Sequence, residues 1–151
     1  MIRPANRFDL PYFISKIHKV HTMDHTACVH DMELDEEHLS KIFHQTIVGG
    51  GVTIIAERDG DYAGIIMGVI CPNFWVTTAY FLNQVLFYVE PEYRHTRVAH
   101  SLFTEYNECA DTLIEEKRIL THSMVASEPL FDMDFGRYGF RMTEKIWTLE
   151  V

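Results

Sequence analysis

The run Val85-Leu86-Phe87-Tyr88-Val89-Glu90-Pro91-Glu92-Tyr93-Arg94-His95-Thr96-Arg97-Val98-Ala99-His100-Ser101-Leu102 decides how the rest of the chain is read. Val85 to Val89 is apolar or aromatic throughout, as in a strand buried on both faces. Pro91 cannot donate to a ladder and ends it. Beyond the break, Val98, Leu102, Phe103, Tyr106, Ala110, Leu113 and Ile114 recur at helical spacing and predict a long helix with one core face. Between strand and helix stand Arg94 and Arg97. Acidic residues usually fill a helix's first turn, where they oppose the positive end of the macrodipole. Two arginines there make sense if an anion, such as a pyrophosphate, binds the unpaired amides of that turn. Ala99 is small enough to let a ligand approach the backbone.

Working outward, Ile2-Arg3-Pro4 is short enough for an edge strand. Asp9 is expected to cap a helix with Pro11 in its first turn, and Leu10, Phe13, Ile14, Ile17 and Val20 form its apolar stripe. After a loop rich in His and Met, Asp35 caps a second helix with Leu39, Ile42, Phe43 and Ile47 inward. Gly49-Gly50-Gly51 stops it. The period then becomes strand-like. Val52 to Glu57 and Tyr62 to Cys71 flank Arg58-Asp59-Gly60-Asp61, a hairpin signal. Val76 to Phe81 reads as a short strand or an irregular approach, and Leu82 to Val89 as a third strand. Past the long helix, Ile119 to Val125 reads as a strand and Ser127 to Phe135 as a short helix. Phe140 to Val151 closes the chain as one or two strands. The order β-α-α-β-β-β-α-β-α-β predicts one α/β domain over residues 1–151, of the α+β type, with a central mixed sheet flanked by about four helices.

Composition narrows the function classes. Hydrophobic residues make up 47% and charged residues 23%, which is globular. No apolar run is long enough to span a membrane, and the first residues lack a signal peptide's apolar core. A cytoplasmic location is expected. The three cysteines, Cys28, Cys71 and Cys109, form no close pair, which argues against a disulfide framework or a zinc knuckle. With 13 basic residues scattered among 22 acidic ones, net charge −9, no nucleic-acid-tracking surface is expected. An acidic surface would instead attract an amine.

The strand ending in Val89-Glu90-Pro91-Glu92-Tyr93, followed by Arg94-His95-Thr96-Arg97-Val98-Ala99 and a helix, resembles the central motif of the GCN5-related N-acetyltransferases. Gly139-Phe140 after a short helix is a second mark, and the element order is similar over essentially the whole chain. The resemblance implies acetyl-CoA as co-substrate. It implies that Arg94, His95, Thr96, Arg97, Val98 and Ala99 hold the pyrophosphate, and that Phe87, Tyr88 and Val89 align the pantetheine arm. It implies a small-molecule or peptide amine as acceptor, which attacks the thioester directly without a covalent enzyme intermediate. A homodimer, common in the family, is also implied. Arg97 stands where the family usually has glycine, which resembles a divergent, phage-type subset.

Catalytic residues are less plainly marked. The family's proton-donating tyrosine would fall at Phe135, so Tyr138 is the candidate acid. Its carboxylate base would fall at Gln84, which orients by hydrogen bonds but takes no proton at neutral pH. Glu57, His122 and Ser123 are further candidates, acting through water. These two changes leave an alternative open: a GNAT-like acyl-CoA-binding or interaction module with little or no turnover. His18, His21, His25 and His30 cluster, but their spacing is no metalloprotease motif and no metal is expected. They are expected as solvated surface residues, or as acceptor contacts if functional. The aromatics Phe74, Trp75, Tyr80 and Phe81 are expected in ordinary core packing, with a pocket wall or a dimer contact as the functional readings.

Overall fold

A computed structural model describes residues 1–23, 33–125 and 134–143. Its elements are β1 (Ile2–Pro4), α1 (Leu10–Met23), α2 (Glu36–Gln45), β2 (Gly51–Arg58), β3 (Asp61–Pro72), β4 (Tyr80–Val89), α3 (Val98–Glu115) and β5 (Thr121–Ser123). The strands form one mixed sheet in the order β1-β2-β3-β4-β5, antiparallel except for the parallel β4–β5 pair. The expected mixed sheet is therefore present with three α-helices, and the expected Ser127–Phe135 helix lies mostly outside the described residues. None of the described helices is long and apolar enough to cross a membrane.

The sheet separates two cores. On one face α3 packs Val98, Leu102, Tyr106, Ala110 and Leu113 onto Val52, Ile54, Ile66, Leu82 and Val89. On the other, α1 and α2 bring Tyr12, Phe13 and Phe43 onto Ile55, Ile65, Met67, Leu86 and Tyr88. Leu82 and Val89 share a face although their spacing is odd. A bulge explains this: Met67 pairs with Leu86 but Gly68 with Gln84, so Val85 is the extra residue and the alternation inverts across it.

Several local expectations are corrected. Asn6, not Asp9, caps the first turn, and Asp9 closes the capping box from the other side. Asp35 does cap α2, accepting from His38 N at 2.9 Å. β4 begins at Tyr80, because Asn73 Oδ1 accepts from the Trp75 and Val76 amides and folds 73–79 into a turn. Ile114 is exposed rather than core. β5 is only three residues long, and Phe140 to Thr143 carry no strand, while 144–151 lie outside the described residues. The Asp59-Gly60 turn has positive φ at both residues (54° and 90°), as a tight hairpin requires.

Asp9 is 1% exposed and ties β1 to α1. It accepts from both Arg3 terminal nitrogens (2.8 Å each), the Asn6 amide (2.8 Å) and the Tyr62 hydroxyl (2.9 Å). Burial by itself pushes its carboxyl up, but Arg3, the Asn6 amide and Tyr62 outweigh this and hold it below the ordinary range. A depressed folded pKa contributes stability above the unfolded value of about 4, lost as pH falls through the folded value. Asp9→Ala should cost about 3 kcal/mol at pH 7 by leaving Arg3 half-paired in a protected site. The variant should also lose less stability than the wild type below pH 4, which urea melts at pH 7 and pH 3 would check.

Candidate functional site

Between β4 and α3, Pro91–Tyr93 makes one 3₁₀ turn, and Thr96 N closes it onto Tyr93 O at 3.1 Å. The α3 ladder begins with Ser101 N on Arg97 O (2.9 Å), so the amides before it lie outside the ladder. Val98 N reaches Thr96 Oγ1 at 3.3 Å, while those of Ala99 and His100 meet no partner among the described residues. Arg97 stands at the N-cap without making a side-chain cap, and the first turn holds no acidic residue. Among the described residues, no side chain caps the positive end of α3 and no carboxylate stands in its first turn.

Arg94 is turned differently from its neighbours. Its Nε donates to Val89 O (3.1 Å) and its guanidinium lies 5.7 Å from the centre of the Tyr88 ring, on the α1 side of the sheet. Lys16 and Lys19 of α1 lie over the same ring, at 5.3 and 5.4 Å. Glu90 accepts from the Tyr12 hydroxyl (3.1 Å) and pairs with Lys16 (2.5 Å). Three cations and one carboxylate thus gather beside the turn in a chain whose net charge is −9. The lysines on α1 show no sign of this in the sequence, because nothing local tells which strand residue they will cross.

The second feature is a fork. β4 and β5 pair only at Phe81–Thr121, Leu82–His122 and Asn83–Ser123, and then part. Gln84, 7% exposed, spans the opening: its Oε1 accepts from Val125 N at 2.8 Å. Glu90 N donates to Ala63 O across β3 (3.0 Å), so strand alternation turns the backbone of Phe87 and Val89 toward the β5 side. The fork thus opens along the segment that leads into the Arg94–Ala99 turn. A separate surface cleft lined by Gly49, Ile70, Tyr80 and Arg118 lies at the opposite end of β4.

Other expected residues are dispersed. Tyr138 Oη lies 3.1 Å from His100 Nδ1, beside the first turn of α3, and its ring packs on Phe103. Phe135 also packs on Phe103. Glu57 pairs with Arg3 at the far edge of the sheet, and Ser123 Oγ bonds Asn83 Oδ1 (3.1 Å). His18 meets Glu36 at 2.7 Å, His25 and His30 lie outside the described residues, and no group of three metal-ligating side chains occurs among those described. Core packing is corrected for Phe74 and Trp75: they stand 86% and 85% exposed at the tip of the β3–β4 connection.

No family model matches the chain, and neither does any curated protein. Solved structures do. A predicted acetyltransferase of Clostridium acetobutylicum, solved with acetyl-CoA, superposes with TM-score 0.70 at 21% identity, over 99% of this chain and 95% of that one. An aminoglycoside acetyltransferase from an uncultured soil metagenomic sample, solved with trehalose, gives 0.64 at 17% identity, over 99% and 96%. A ribosomal-protein-alanine N-acetyltransferase of Brucella melitensis biovar Abortus 2308 gives 0.62 at 13%, over 100% and 99%. The chain has the acetyltransferase fold, the fold that the strand–turn–helix motif implied.

Proposed function

We propose that the protein is an acetyl-CoA-dependent N-acetyltransferase, a divergent member of the GCN5-related family, acting on a small-molecule or peptide amine by direct attack. The observation that carries this reading is the uncapped α3 N-terminus lying directly beyond the β4–β5 fork. The amides of the Arg94–Ala99 turn, with Arg97 beside them, would hold the pyrophosphate, His95 and Thr96 lining the turn. Phe87 and Val89, whose backbone turns to the β5 side, would align the pantetheine arm along β4, whereas Tyr88, also expected there, turns its backbone to β3 and its ring to α1. Acetyl-CoA as co-substrate supplies the thioester, and the structures solved with it or with CoA on this fold support that choice.

Gln84 would orient the reacting groups, its own orientation fixed by Val125 N. Tyr138 would return a proton to the departing thiolate, with His100 holding its hydroxyl. Calorimetry with acetyl-CoA tests the reading: saturable binding below millimolar is expected. Arg97→Ala should weaken it about tenfold, the loss of one charge-assisted contact of about 1.5 kcal/mol. Tyr138→Phe should lower turnover while leaving affinity unchanged. No saturable binding at millimolar acetyl-CoA would sink the proposal. Binding without acetylation of any amine would favour the interaction module, the alternative that Phe135 and Gln84 leave open.

A further inference from the structure

His122 is a polar side chain on the α3 face of the sheet that acetyl-CoA binding leaves unused. His122 of β5 is the register partner of Leu82, which belongs to the α3-side core, so the imidazole lies on that face. Its ring meets Tyr106 of α3 at 6.2 Å between centroids, and Phe140 stands edge-on to it at 5.1 Å. His122 Nδ1 is buried with no hydrogen-bond partner among the described residues. Such an atom costs about 1–3 kcal/mol in lost solvation, a cost that packing does not explain.

Gln84 is the next residue of β4 on the same face, two on from Leu82 and ahead of the bulge. The Val125 amide can only donate, so it pins the Gln84 oxygen and leaves the carboxamide nitrogen to donate elsewhere. One oriented donor on β4 and one buried imidazole nitrogen on β5, unpartnered among the described residues, therefore share the α3 face next to the point where the two strands part. The other bases considered are committed: Glu57 to Arg3, and Ser123 to Asn83.

We propose that His122 accepts the proton of the incoming amine at the fork, beside the Gln84 carboxamide. This rests on the acetyl-transfer reading. An ammonium N–H bond breaks and its proton passes to His122 Nδ1. The freed lone pair forms the C–N bond at the thioester carbon as the C–S bond breaks, with Gln84 Nε2 donating to the carbonyl oxygen. A second N–H proton leaves the nitrogen as the amide forms and balances the thiolate. Solvent later takes the first from His122.

The electrostatics agree. Burial lowers the His122 pKa below its ordinary value, against a smaller opposite effect from Asp111 on α3. Tyr106, whose ring meets it, has its own pKa raised by burial, so that phenol stays protonated. The imidazole is thus a neutral acceptor at pH 7.

The test uses the full-length chain, with thiol release from acetyl-CoA as readout and sisomicin, spermidine and a peptide beginning with alanine as acceptors. His122→Gln is expected to keep acetyl-CoA affinity, to lower kcat about 100-fold, and to lose the acid limb of the pH–rate profile. Imidazole added to the medium should partly restore His122→Ala, a result that a purely structural role would not produce. Tyr106→Phe, which removes a neighbouring hydroxyl that has no partner among the described residues, should retain kcat. A folded His122→Gln protein with wild-type kcat and an unchanged acid limb would overturn the assignment. If no acceptor is turned over, the His122 resonance is followed by NMR across pH with and without acetyl-CoA. A displaced midpoint supports the assignment and an unmoved one overturns it. Failure of the wild type to bind acetyl-CoA would remove the transferase reading itself, whereas intact catalysis in His122→Gln removes only this step.

Discussion

Ala99→Glu is expected to weaken acetyl-CoA binding by about 100-fold or more while leaving the fold as stable as before, or slightly more so. The two effects have opposite signs because they act on the same charge. Position 99 is in the first turn of α3, where no acidic residue stands and where the Ala99 and His100 amides meet no partner among the described residues. A carboxylate there would complement the helix dipole, typically by about 0.3–1 kcal/mol. It would also sit within a few ångströms of any bound pyrophosphate, and like charges about 5 Å apart at an effective dielectric near 20 repel by about 3 kcal/mol. Ala99 is half-buried against the α3 core, but glutamate is long enough to carry its charge to solvent. Calorimetry and thermal melts on the same preparation measure both arms. Unchanged affinity would mean that the anion does not bind this turn.

The second large effect is on stability. A Cβ added at Gly68 would lie 2.1 Å from the Tyr106 hydroxyl, 2.9 Å from its Cζ and 3.0 Å from Leu82 Cδ1. Both side chains are fully buried, so neither has room to swing away. Gly68→Ala should cost about 3 kcal/mol, at the upper end of overpacking penalties, or roughly 6–12 °C in Tm for a chain of this size. Tyr106→Phe removes the closest of the three atoms, and its hydroxyl has no hydrogen-bond partner among the described residues. In the Gly68→Ala background it should recover about half of the loss, giving a coupling above about 1 kcal/mol. Additive losses in denaturant melts would show that the clash relaxes by backbone movement instead.

Residues 85–102 allowed the β4–turn–α3 unit to be read correctly because each of its signals is local. An apolar run, a proline stop, a helical period and arginines where carboxylates belong all act within a few residues of one another. The Asp35 cap and the Asp-Gly hairpin were legible for the same reason. Expectations failed where a residue had two plausible local roles and tertiary contacts chose between them. Asp9 was read as a cap, but Arg3 and Tyr62 draw it inward. Ile114 fits the helical stripe, yet it faces solvent. Phe74 and Trp75 look like core by composition, while the Asn73 turn projects them outward.

The sequence by itself thus determined the class of fold and the lack of acidic residues in the first turn of α3, since the charge at a helix end depends only on which residues occupy that end. Tertiary structure decided the rest of the site. The Val85 bulge inverts which side chains of β4 face α3, and it arises from pairing with β3. The fork exists because β5 stays with β4 for only three residues. Arg94 turns toward the Tyr88 ring, and Lys16 and Lys19 arrive from a helix nearly seventy residues earlier. Long-range contacts of this kind have no period or spacing in the chain. They follow from which surfaces the two cores bring together, and only the folded molecule specifies that.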